Sequence, residues 1–195
     1  MKSDFFAFIS RMKYIARWSL MRSTVQENIQ EHSHMVAVLA HALGLIRREV
    51  FGGDCNAEHL AAIALYHDAP EILTGDLPTP IKYHSASIKT AYDEVESVAV
   101  EKLLAELPEE LRASYRALLT APERPEEYAL VKAADRLAAY IKCVEERKAG
   151  NLEFASAEQA SRRKLEALGL PEVDYFLEQL MPGFERNLDE LGTLE

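Results

Sequence analysis

The chain of 195 residues carries only two cysteines, a single tryptophan and no run of 18 apolar residues. Cys55 and Cys143 are too few for a disulfide framework or a four-thiolate zinc centre, and they fit a reducing compartment. Without a long apolar run, an ordinary membrane span is excluded. The N-terminal stretch MKSDFFAFISRMKYIARW lacks an apolar centre, and Asp4 interrupts it, so it makes a poor secretory signal. A cytoplasmic protein is expected. Positive charge is also scarce, with 22 Lys plus Arg against 32 Asp plus Glu and a net charge of -10. That balance argues against a protein that grips nucleic acid or an anionic membrane by bulk electrostatics. Alternating β patterns, internal repeats, low-complexity tracts and dividing linkers are all missing. The expectation is one domain over residues 1–195.

What is present is material for helices. Hydrophobic residues make up 48% of the chain. Size scaling gives a folded surface of ~9,000 Å² against ~32,000 Å² unfolded, a core large enough to close without staples. Phe5, Phe6, Ile9, Met12 and Ile15 or Ala16 recur at helical spacing and predict a first amphipathic helix. Asn28 with Glu31 forms a capping-box pattern ahead of a helix that stops at Phe51-Gly52-Gly53. Asn56 can cap a third helix running towards Asp68 or Ala69, with Pro70 making its last turn awkward. LTGDLPTPIKYHS reads as a loop. Ile88, Tyr92, Val95, Ala99 and Leu103 mark a helix from Ser87 to Leu107, and Pro108-Glu109-Glu110 open a shorter one. After the loop TAPERPEE, helices are expected over Glu126–Lys148, Leu152–Leu168 and Pro171–Leu191. The fold class is all-α, a single helical bundle.

Charge is unevenly spread. Residues 1–50 hold seven basic and four acidic side chains, and Arg11 to Arg22 contain four positive charges with no acid. This is either a solvated helix face or the one place where an anion finds help.

Five of the six histidines precede residue 68. A His67-Asp68 pair alone is weak evidence, yet it follows the apolar stretch Leu60-Ala61-Ala62-Ile63-Ala64-Leu65. A buried carboxylate there needs a cation or hydrogen-bond donors. Asp135 poses the same question inside LVKAADRLAAYI: it faces solvent along a narrow strip, or it meets something positive. Together His32, His67, Asp68 and Asp135 make a two-nitrogen, two-oxygen ligand set that suits Mn, Co, Fe, Ni or Zn. Four protein ligands leave room for water, as a hydrolytic centre requires.

The order His32, His67-Asp68, Asp135 resembles that of the HD-domain metal-dependent phosphohydrolases. ARWSLM at 16–21, ENIQEHS at 27–33, YHDAPEILTGDLPTPIKY at 66–83 and LVKAADRLAAYIKC at 130–143 are similar to the bacterial 5'-deoxynucleotidases. The resemblance implies an HD-domain helical bundle with a metal site between helices. It also implies a cytoplasmic homodimer that hydrolyses deoxyribonucleoside 5'-monophosphates and discriminates against ribonucleotides. His32, His67, Asp68 and Asp135 would hold one divalent transition-metal ion per subunit, cobalt, manganese or similar. A binuclear site would need histidines downstream of Asp68, where only His84 occurs. Glu71, one helical turn beyond His67, matches the family's catalytic glutamate, and Arg17 the phosphate-orienting arginine. Trp18 would crowd the sugar's 2' position and Asp76 would bind substrate, with His32 and Asp135 also counted towards substrate contact. Read without the resemblance, Arg17 joins the basic face, Trp18 joins the core, Glu71 is an exposed helix-end acid and Asp76 caps a turn. His34, His41, His59 and His84 have no compelling partner. Residues 120–125 depart from the family's substrate loop and are one residue shorter, which leaves base contacts open. Competing readings are an HD phosphohydrolase for another phosphate ester or phosphodiester, and a non-catalytic metal- or nucleotide-binding regulator.

Overall fold

The computed structural model describes residues 3–120 and 125–192. Among the described residues ten α-helices follow one another: α1 Phe5–Ile9, α2 Ile29–Leu45, α3 Ala57–Tyr66, α4 Glu71–Thr74, α5 Thr79–Lys82, α6 Ala86–Ala105, α7 Glu109–Leu119, α8 Pro125–Lys148, α9 Ala155–Glu166 and α10 Pro171–Gln179. Among the described residues there is no strand, only an isolated antiparallel bridge between Ala16 and Asn28. The expected loop after Thr120 falls largely on residues 121–124, outside the described residues.

Helices α2, α3 and α8 form the centre, with α2 packed on both of the others. Val36, Leu39, Ala40 and Leu43 of α2 meet Leu60, Ile63 and Ala64 of α3, and Leu130, Ala134, Leu137 and Ile141 of α8. The approach of α2 to α3 is close enough to require glycine. A Cβ on Gly44 would stand 2.8 Å from Ala57 Cβ and 2.9 Å from Ala57 Cα. A smaller cluster gathers Phe5, Ala69, Val100, Leu103, Leu104, Leu107 and Leu119.

The caps read from sequence form as expected. Asn28 Oδ1 accepts from the Gln30 and Glu31 amides, and the Glu31 carboxylate accepts from the Asn28 amide. Asn56 caps α3 through the His59 amide. Several boundaries differ for physical reasons. The first helix stops at Ile9 and tightens into a 3-10 turn over Ser10–Tyr14. There the Ser10 hydroxyl donates to the Ala7 carbonyl, a side-chain competitor for the helical ladder. α3 ends at Tyr66, before His67 and Asp68, because Pro70 cannot donate to a continuing helix. The expected helix to Leu191 ends at Gln179, ahead of Pro182. In α6 the anticipated apolar stripe is buried only from Ala99 onward, whereas Ile88 and Val95 stay exposed. The accessible surface, 11455 Å², correspondingly exceeds the size-scaling expectation.

Candidate metal centre and its surroundings

Three parts of the fold converge on one point: the N-terminal half of α2, the turn after α3, and the middle of α8. His32 is fully buried on α2, and its Nε2 lies 3.0 Å from Asp135 Oδ1 and 3.6 Å from Asp68 Oδ2. His67 Nε2 lies 3.2 Å from Asp68 Oδ1. The open question about Asp135 thus has a double answer, since it meets an imidazole while its side chain stays partly exposed.

Local backbone geometry sets this arrangement. With the helix broken before Pro70, the chain turns tightly: the Ala69 amide donates to the Tyr66 carbonyl at 3.0 Å and the Glu71 amide to the Asp68 carbonyl at 3.0 Å. The helical face expected to unite His67 and Glu71 therefore does not form. Glu71 instead begins the short α4 and is buried there. His67 Nδ1–H donates to the Ala64 carbonyl at 2.7 Å, which orients the ring and turns Nε2 towards the carboxylates.

The donor chemistry suits a divalent transition metal. Ligand atoms of His32, His67 and Asp135 all lie within 4.8 Å of one another, and Asp68 lies beside the two histidines, 3.2 Å from His67 Nε2 and 3.6 Å from His32 Nε2. Ligands around one ion at ~2.1 Å stand roughly 3–4 Å apart, so the cluster has the right scale. Nitrogen and carboxylate donors without sulfur match the borderline ions. His67 Nε2 is buried and makes no aligned hydrogen bond among the described residues, although Asp68 Oδ1 is 3.2 Å away, as a ligating nitrogen would be.

Electrostatics point the same way. Burial disfavours a charged His67, but the neighbouring Asp68 carboxylate outweighs it and lifts the imidazole to about 9. Burial likewise opposes ionisation of Asp68, yet His67, His32 and Arg17 hold its carboxyl well below the usual range. For Asp135, burial is outweighed by the hydrogen bond and charge of His32, and its pKa is lowered. The two carboxylates thus stay ionised, and the proton favoured at His67 is the one a divalent cation would displace. Glu71 behaves oppositely. Burial, then repulsion from Asp68 and Asp76, push its carboxyl up to about 9, and its Oε2 is buried and unpaired among the described residues.

The basic N-terminal segment divides. Arg11 and Lys13 are exposed and lie over the Tyr14 ring, and Arg22 pairs with Glu153 at the surface. Arg17 alone turns inward. Its Nη1 donates to Asp68 Oδ2 at 3.4 Å and its Nε to Glu27 Oε2 at 3.2 Å. Trp18 is half-buried, its ring 5.3 Å from that of Phe154 and its Nε1–H donating to Glu27 Oε2 at 2.8 Å. Asp76 follows Gly75, whose φ of 75° makes the turn. Burial raises its pKa, and it interacts electrostatically with Arg17 and Asp68. His34 and His84 are exposed, while His41 and His59 are half-buried away from this cluster.

Two contributors escaped the sequence reading. Glu27 joins Arg17 to Trp18. Glu146 is 1% exposed and fastens residues 24 and 25 to α8. It accepts from the Thr24 amide and hydroxyl, the Val25 amide, Asn151 Nδ2 and Lys142 Nζ, and Lys142 also donates to the Val25 carbonyl. The Lys142–Glu146 spacing is visible in the sequence as an ordinary i,i+4 pair, but its buried role depends on a loop more than 100 residues away.

Among the described residues no helix is long and apolar enough to cross a membrane. Comparison with known proteins agrees with the geometry. Residues 4–184 match the model of the family described as 5'-deoxynucleotidase YfbR-like. A 5'-deoxynucleotidase of Vibrio vulnificus strain YJ016 is 49% identical over 192 residues, covering 98% of this chain and 99% of its own. In structure, the chain is similar to an HD-domain phosphohydrolase of Listeria innocua (TM-score 0.79, 24% identity, 93% of this chain and 88% of that one). It is also similar to the cyanophage S-2L HD phosphohydrolase DatZ bound to dA and one catalytic Zn2+ ion (TM-score 0.58, 27% identity, 94% and 96% covered). The all-helical fold, the His and Asp residues gathered between its helices and these full-length similarities agree: the chain belongs to the YfbR-like 5'-deoxynucleotidase family of HD-domain phosphohydrolases.

Proposed function

We propose that the protein is a divalent-metal-dependent 5'-deoxynucleotidase. It hydrolyses deoxyribonucleoside 5'-monophosphates to deoxyribonucleosides and phosphate, and it discriminates against ribonucleotides. The observation that carries this reading is the inward-turned Arg17, hydrogen-bonded to Asp68 at the edge of the His32, His67 and Asp135 cluster. The full-length relative's name and the DatZ complex with dA and zinc support the same substrate class.

His32, His67, Asp68 and Asp135 hold one transition-metal ion per subunit, with cobalt, manganese and zinc all compatible with the donors. When bound, the ion supplies positive charge at the phosphate and lowers the pKa of a water. Arg17 spends two of its five N–H donors on Glu27 and Asp68 and offers the others to phosphate oxygens. Glu71, protonated at its buried carboxyl, passes that proton to the leaving 5'-oxygen, or, when ionised, takes one from the attacking water. His32 and Asp135 border the substrate as well as the ion. Trp18 presents an indole against C2', where a ribose hydroxyl collides. Asp76 accepts a hydrogen bond from the sugar's 3'-hydroxyl.

Residues 1–195 act as one cytoplasmic domain, paired as a homodimer. Val95 and Val98 on α6, 53% and 55% exposed, supply an apolar surface of the kind a second copy covers. Phosphate release from dAMP, dGMP, dCMP and TMP, compared with the matching ribonucleotides, tests the substrate assignment. Fast release from the deoxy series is expected; equal rates on ribose and deoxyribose contradict the role given to Trp18.

A further inference from the structure

The Arg17-Trp18 dipeptide is held in an unusual way. Trp18 has φ 58°, and no other non-glycine residue among those described has a positive φ. A bulky residue in the left-handed region is costly and persists only where its surroundings over-determine it. Phe154 packs on the indole and the Met21 amide donates to the Trp18 carbonyl, while Glu27 alone bonds to both residues of the dipeptide. The Glu27 carbonyl accepts from the Arg17 amide at 2.9 Å. Its carboxylate oxygen Oε2 accepts from both Arg17 Nε and Trp18 Nε1.

Glu27 is itself fixed at both sides. It precedes Asn28, the cap of α2 that carries His32, and follows the Thr24–Val25 segment clamped by Glu146 to α8, which carries Asp135. The guanidinium and the indole are therefore referenced, through one carboxylate, to the two helices that bring His32 and Asp135 together.

We propose that Glu27 is a positioning residue that couples phosphate recognition by Arg17 to rejection of the 2'-hydroxyl by Trp18. This inference rests on the deoxynucleotidase reading. A bound phosphate fixes the guanidinium; Glu27 then fixes the indole against the sugar it must inspect. Without the shared acceptor, the indole can swing aside and a ribonucleotide fits.

The test compares kcat/KM for dAMP and AMP in the wild type, Glu27→Ala, Trp18→Phe and the double variant, with metal content measured in each. Phenylalanine keeps an aromatic ring but removes the N–H. The expected result is a dAMP preference in the wild type that falls about tenfold or more in Glu27→Ala, within the range a steric pocket supplies. Metal content should be unchanged. Trp18→Phe should lower the preference as well, and the double variant should lose no more than the larger single loss, because both substitutions cut one link. Three results overturn the inference: an unchanged preference in Glu27→Ala, an unchanged preference in Trp18→Phe should Glu27→Ala not fold, or losses that multiply in the double variant. A wild type indifferent to the 2'-hydroxyl would overturn the assigned role of Trp18 along with it, which separates the two failures.

Discussion

His32 Nε2 stands 3.0 Å from Asp135 Oδ1 although 103 residues separate them in the chain. Neither residue is free to leave: His32 is locked in the α2 core, and α8 is pinned beside it by Leu130, Ala134 and Leu137. Packing energy from the three central helices is thus what brings the candidate ligands together.

Asp135→Asn keeps the side chain's size and removes its charge. The expected outcome is loss of bound metal on dialysis, read by elemental analysis, and a fall in phosphate release of at least about 100-fold. Full metal occupancy in the variant would remove Asp135 from the ligand set.

Glu71→Gln should separate proton handling from metal binding. Turnover is expected to drop by about 10²–10⁴-fold with metal content retained. Folding stability should hold or rise, because the wild-type carboxyl is already raised to about 9 by burial. Loss of metal in this variant would show that the two roles are not distinct.

Glu146 predicts an acid-sensitive loop. Burial alone would raise its carboxyl, but hydrogen bonds from Lys142, Thr24 and Asn151 lower it from 4.5 to about 2. A depressed carboxylate pKa contributes stability that is present above pH 4.5 and is lost as pH falls towards 2. Denaturant unfolding of wild type and Glu146→Gln across that window should show a shallower acid dependence in the variant.

Gly44→Ala should destabilise by about 1–3 kcal/mol, because its Cβ would press on the Ala57 backbone rather than on a movable side-chain tip. Thermal or urea unfolding measures it. A neutral result would mean that α2 and α3 can separate without cost.

Local signals were legible in the sequence and long-range ones less so. The Asn28–Glu31 box and the Asn56 cap depend on residues three apart, and both form. The His and Asp candidates stood out because charged or polar groups interrupt apolar helices. Where helical periodicity was extended across Pro70, it failed, and the tight turn there put His67 and Asp68 outside α3. Glu27 was within a recognisable motif, but its value lies in a loop pairing with Arg17 and Trp18 that no spacing rule encodes. Ile88 and Val95 carry core-like periodicity in α6 yet are exposed, because an apolar stripe does not say whether its cover comes from the same chain.

Metal-dependent hydrolysis of deoxynucleotides at the His and Asp cluster is the activity proposed for this chain. Its most direct test is phosphate release from dAMP by chelator-stripped protein before and after stoichiometric addition of cobalt, manganese or zinc. Negligible release from the stripped protein and recovery with about one ion per subunit are expected. Undiminished release after stripping, or binding of dAMP without release under every added metal, would contradict it.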